Sequence, residues 1–181
     1  MGHSNMINAE IYIIDTILGT YRDDLGSSFD QYHNHVYRIY HFAVININSE
    51  IDIRNLAIAA AFHDIGIWTG NTFDYLAPSI ALARKYCTDK EIDSTSRAEI
   101  EITINEHHRL SVIKTSELAE VFRQADLVDL SWGLIRLGRK SNYIKLMKKK
   151  FPNKGFHYNL LKFFLKNLIR HPLKPLPMYK W

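Results

Sequence analysis

The chain has 181 residues, of which 46% are hydrophobic, 23% charged and 12% aromatic. Those values fit one globular domain with a real core, and they exclude a disordered chain. No apolar run approaches the ~18 residues that a membrane-spanning helix needs. The single cysteine, Cys87, excludes an internal disulfide framework and a four-cysteine zinc site. The N-terminus lacks the positive start and apolar stretch of a secretory signal, so a cytoplasmic protein is expected.

The net charge of +4 hides a split. From Leu130 to Trp181 there are thirteen Lys and Arg and no Asp or Glu. The preceding 129 residues hold ten basic residues and nineteen acids, a balance of −9. Such asymmetry marks either a basic rim for acidic ligands or a solvated helix face.

Along the chain the apolar spacing is helical. Ile7, Ile11, Ile14 and Leu18 recur at three and four residues over Met6–Tyr21. After the polar break Asp23–Ser28, Ser28 is the expected N-cap of a helix to about Ile47. Asp52 is the expected cap of a helix from Ile53 to Asp64, stopped near Gly66. Further helices are predicted over Tyr75–Cys87, from Ser94 or Ser96 to His108, and from Ser116 to about Trp132. Tyr143–Lys150 and Phe156–Arg170 follow, and then the Pro-rich end His171–Pro177. The prediction is all-α, one domain over 6–181, with six to eight helices. The core spans about 28–132, and 133–181 is a basic helical extension. Met1–Asn5, with His3, carries no packing pattern.

His63-Asp64 ends an apolar helix. Two helical turns separate His63 from Leu56, which places it on the buried side. Groups of this kind are costly to bury unless paired or bound to metal, and imidazole with carboxylate suits Zn, Fe, Mn or Ni. His35 lies four before Ile39, at the edge of an inward face, whereas His33 and His41 point elsewhere. Asp126 lies four after Phe122, on a face with Ala125 and Val128 or Asp129.

In this order, His35-Val36-Tyr37-Arg38-Ile39, Ala59-Ala60-Ala61-Phe62-His63-Asp64-Ile65-Gly66 and Ala125-Asp126 resemble the HD-domain superfamily of metal-dependent hydrolases. The resemblance covers about Ser28 to Trp132. It implies an all-α HD-type bundle in which His35, His63, Asp64 and Asp126 hold one divalent metal ion (Fe, Mn, Zn, Ni or Mg). Such an ion supplies hydroxide near neutral pH and polarises a phosphoryl oxygen. Arg38 then either neutralises phosphate or braces a helix. Of His107 and His108, His107 shares a face with Ile100 and Ile104 and is the preferred catalytic histidine; either could be the general acid, and whether His108 points outward or faces the site stays open.

Two-metal relatives carry another histidine between the His-Asp pair and this position. Between Asp64 and His107 the chain has none. Asp74 and Tyr75 are the only stand-ins considered, and a mononuclear site is expected. Trp68, Phe73 and Tyr75 either line the pocket or pack in the core. The expected activity is metal-dependent hydrolysis of a small anionic phosphorylated substrate, with Asp64 and His107 taking part. The alternatives are a cyanamide-hydratase-like reaction on a non-phosphate substrate and a non-catalytic binding module. Nucleic acid is not an expected partner, and a homo-oligomer stays open. The amphipathic Phe156–Arg170 segment is expected to dock on its own domain through Leu160, Phe163 and Phe164.

Overall fold

The computed structural model describes residues 3–170 together with Pro172 and Met178, with side chains from residue 9 onward. The side chain of Ile7 and the Pro-rich end, Pro172 apart, lie outside the described residues.

Among the described residues the structure is helical throughout, without strands. In chain order come α1 His3–Thr20, α2 Arg22–Leu25, a 3-10 turn Gly26–Ser28, α3 Phe29–Val44 and α4 Glu50–Phe62. Then follow α5 Gly66–Thr69, α6 Leu76–Asp89, α7 Ser94–Glu106, α8 Glu117–Leu130, α9 Ser141–Lys150 and α10 Phe156–Arg170. Eight of these span ten or more residues, as the apolar periodicity predicts. Among the described residues no helix is long and apolar enough to cross a membrane.

The bundle is organised around α4. Ile53 and every residue from Asn55 to Phe62 are buried, so the helix is enclosed on all sides. Its small residues Ala57, Ala59, Ala60 and Ala61 let neighbouring backbones come close. Helices α1, α3, α6, α7 and α8 all contact it. Helices α3 and α7 each also contact α8, so α3, α4, α7 and α8 surround one line through the core.

Helix starts correct the predicted caps at three places. Ser49, not Asp52, caps α4, accepting from the Asp52 amide at 3.3 Å. Asp52 sits in the first turn, where its charge still favours the helix dipole. Asp93 caps α7, accepting from the Ser96 amide at 2.9 Å, in place of Ser94 or Ser96. Ser28 precedes α3 but its side chain caps nothing, because the 3-10 turn enters α3 with helical backbone angles. Ser116 caps α8 as expected, at 2.8 Å from the Ala119 amide.

The basic extension docks on the body. Arg139 is 4% exposed and donates to the Phe42 carbonyl, and the Tyr143 hydroxyl donates to the His41 carbonyl. Both serve carbonyls in the last turn of α3, which have no helical partner of their own. Met147 and Ile144 bury the inner face of α9. Helix α10 anchors through Phe156, which is 1% exposed, with Leu160 packed on the main core and Phe163 on a smaller cluster around Tyr75 and Met178. Phe164 lines a cavity wall.

Gly66 opens α5 against α6. A Cβ there would sit 2.4 Å from the Tyr75 carbonyl oxygen and 2.9 Å from Ser79 Oγ, which accepts from the Gly66 amide. Gly66→Ala should therefore destabilise the fold by about 2–3 kcal/mol, read from denaturant unfolding. Burial, with Lys150 adding, holds the His41 imidazole down to about 4. The unfolded chain takes up that proton near 6.5, so stability should fall as pH drops from 6.5 to 4. His41→Gln should lose less melting temperature over that interval than the parent.

Candidate metal centre

Six ionisable side chains meet where α4 ends. His35 comes from the middle of α3, and His63 and Asp64 from the turn after α4. His107 and His108 follow α7, and Asp126 lies on α8. His35 and His63 are fully buried; Asp64 is 4% exposed, His107 2% and Asp126 2%. Within this group, three sets place their ligand atoms within 4.8 Å of one another: His35–His63–Asp126, His63–Asp64–His107 and His107–His108–Asp126. Each pair of sets shares a residue, so the sets form one continuous centre.

The hydrogen bonds behind the rings settle which atoms face inward. His63 Nδ1 lies 2.8 Å from the Ala60 carbonyl and His107 Nδ1 2.7 Å from the Ile104 carbonyl. A carbonyl can only accept, so each Nδ1 carries the proton and each Nε2 presents a lone pair. His35 does the same with a carboxylate, Nδ1 lying 2.8 Å from Asp129 Oδ2. The inward distances are then short. His35 Nε2 is 3.2 Å from His63 Nε2, and His63 Nε2 is 3.4 Å from Asp64 Oδ2. His107 Nε2 is 3.4 Å from Asp64 Oδ1, and His35 Nε2 is 3.8 Å from Asp126 Oδ1. Asp64 Oδ1 and His107 Nε2 are buried without a hydrogen-bond partner.

Lone pairs and carboxylates crowded together repel unless a cation sits among them. Ligands placed ~2.1 Å from an ion lie roughly 3–3.5 Å apart, which three of these four distances match, with His35–Asp126 somewhat longer at 3.8 Å. The donor set of imidazoles and carboxylates therefore fits a metal ion. Burial pushes Asp126 well above the usual carboxylate range, with the charges of Asp64 and Asp129 adding to it.

Tyr32 fixes the turn that carries the His-Asp pair. Its hydroxyl donates to the Ala61 carbonyl at 3.0 Å and accepts from the Asp64 amide at 3.2 Å. Behind His35 the support is ionic. Asp129 holds His35 and also takes a bidentate grip on Arg38, with Nε–Oδ1 at 2.6 Å and a second N–O pair at 2.8 Å. The remaining Arg38 nitrogen donates to the Phe151 carbonyl at 2.8 Å. Phe156 stacks on the His35 ring at 3.9 Å and closes the last side.

Two alternatives that the sequence leaves open are narrowed. Arg38 is 2% exposed and spent on Asp129, so it braces the His35 support rather than meeting a substrate. His108 does not point outward. Its Nε2 lies 2.5 Å from the Tyr75 hydroxyl and its Nδ1 4.0 Å from Asp126 Oδ2. The helix ends at Glu106, so helical angles no longer govern the side chains beyond it. His107 belongs with the ligating atoms, and His108 stands between them and the adjoining cavities. Of the aromatic candidates, Trp68 packs on Tyr32 at 4.8 Å, whereas Phe73 and Tyr75 line a cavity. Asp74 is exposed and stands outside the three ligand sets.

Arg38 and Asp129 form a buried pair in which each charge depends on the other. Asp129→Ala should cost about 3–5 kcal/mol, because it strands the guanidinium away from water. Arg38→Met combined with Asp129→Leu should recover much of that loss, read from urea unfolding of the metal-free protein.

Comparison of the chain with family models, with curated proteins and with solved structures returned no match in any of the three.

Proposed function

We propose that the protein is a metal-dependent phosphohydrolase of the HD type acting on a small phosphorylated substrate. One observation carries the reading: three imidazole Nε2 atoms and two carboxyl groups come together in overlapping buried sets, with no Lys or Arg among them. Bound there, a divalent ion would act as a Lewis acid, lowering the pKa of water and polarising a phosphoryl oxygen.

The chain's own groups supply the rest. Asp129, the Ala60 carbonyl and the Ile104 carbonyl hold three rings in the tautomer that leaves Nε2 open. Tyr32 keeps Asp64 in register with His63. His108 stands beside the ligand set with one nitrogen toward Asp126 and the other toward the Tyr75 hydroxyl. Burial, reinforced by His107, keeps it well below its ordinary pKa, so it is a neutral ring that can hold hydrogen bonds on both sides. Arg109 and Arg123 border a cleft with His107, His108 and Asp126, which supports an anionic substrate.

Apolar residues dominate the neighbouring cavity, and that favours one second reading, hydration of a nitrile-like carbon on the same centre. Phosphate release from phosphoesters, set against urea formation from cyanamide, separates the two.

The overlapping ligand sets support one tightly held ion per chain, of the Fe, Mn, Zn, Ni or Mg group. Metal analysis after dialysis should find about one ion in the parent. Asp64→Ala should lose both the ion and the phosphatase activity, by about a hundredfold or more. Full occupancy in that variant would remove Asp64 from the ligand set, and two tight ions both needed for turnover would overturn the single-ion centre.

A further inference from the structure

Two cavities reach the metal centre from different directions, and their linings differ in chemistry. The larger, about 220 Å³, has Asp64 and His108 among its lining, with a wall of Phe73, Tyr75, Leu130, Leu160, Phe164 and Met178. The smaller, about 80 Å³, is lined by His107, His108 and Asp126 with Arg109 and Arg123. His108 and Leu130 belong to both.

We propose that this site takes a phosphomonoester of an apolar alcohol or phenol, with the phosphoryl group beside the arginines and the organic group in the aromatic cavity. The inference rests on the phosphohydrolase reading and narrows its substrate. A dianionic phosphoryl group matches two guanidinium groups. Arg123 is fixed at the cleft by Glu120, at 2.7 and 2.8 Å, with its third nitrogen not used in that pair. Arg109 pairs with Glu106 at 3.2 Å with its side chain 38% exposed, a contact weak enough to exchange for a phosphoryl oxygen.

The larger cavity offers the opposite chemistry. Its polar groups, Asp64, His108 and the Tyr75 hydroxyl, are already engaged with the centre or with each other. Among the described residues its lining contains no Lys, Arg, Asn or Gln. A nucleobase and sugar placed there would lose their hydrogen bonds to water without replacement, whereas a ring or short alkyl chain loses nothing. His108 stands where the two cavities join, beside the ester bond of a substrate spanning both. In the reaction a water oxygen bonds to phosphorus, the phosphorus–oxygen ester bond breaks, and one water proton ends on the leaving oxygen.

The test compares two probes that cannot be hydrolysed, benzylphosphonate and methylphosphonate, by calorimetric titration of the metal-loaded protein. Hydrolysis of 1-naphthyl phosphate is measured beside AMP and ribose 5-phosphate. Burial of the ring should make benzylphosphonate bind roughly tenfold tighter. Phe164→Ser should remove most of that difference and raise KM for 1-naphthyl phosphate. Arg109→Gln should weaken both phosphonates alike. Equal affinities, or a higher kcat/KM for AMP, would overturn the apolar assignment and leave the phosphohydrolase reading standing. Discrimination between the phosphonates without turnover of any phosphoester would uphold the ligand class and overturn the hydrolytic reading instead.

Discussion

An imidazole that donates its Nδ1 proton to a buried acceptor has only a lone pair left at Nε2. Three such rings meet at the end of α4, and two carboxylates join them. Water cannot relieve that crowding at His35 and His63, which have no exposed surface. Burying polar groups this densely costs several kcal/mol unless the charges find partners. The surrounding structure holds the crowded groups in positions where they could take a metal ion.

The helices do this unequally. Helix α4 gives up packing volume, with alanines at four of its last six positions, so that α3, α7 and α8 approach close enough for side chains from each to meet. Larger residues there would bury more apolar surface and separate the ligands. Gly66 meets a similar constraint just beyond the His-Asp pair, where the backbone of α6 leaves no space for a side chain. The Asp129–Arg38 pair supplies the opposite element, rigidity bought with ionic contacts rather than with hydrocarbon. It joins α3, α8 and the segment after α9 behind a single ring.

Much of this was legible in the sequence, because helix periodicity survives burial. His63 repeats Leu56 at seven residues, and Asp126 repeats Phe122 at four; both are buried as that spacing requires. Helix caps were less legible, since Ser and Asp occur both at the N-cap and within the first turn, and only backbone angles distinguish the two. The direction of His108 is open in the sequence for a related reason: helical angles do not continue past Glu106, where the chain turns. The partners of Arg38 and the ring that covers His35 arise from residues 91 and 121 positions away, and no local pattern encodes them. Asp129 did carry a local signal, three residues after Asp126 on the same face.

The charge split along the chain gains a physical account at the same place. Exposed pairs such as Lys154 with Asp30 add little to docking in salt, because water screens them. Buried contacts do the holding: Arg139 on the end of α3, Met147 and Ile144 under α9, and Phe156 under α10. Phe156 has a second consequence, because the ring it covers belongs to the centre. By stacking on His35 it keeps water from the side opposite the ligands, and Leu160 and Phe164, farther along the same helix, form one wall of the apolar cavity. One helix of the basic extension thus seals the centre and shapes the approach to it. Its lysines can remain on the solvent side, because Phe156 and Leu160, with His157 on the Asp129 carbonyl, already fix its position.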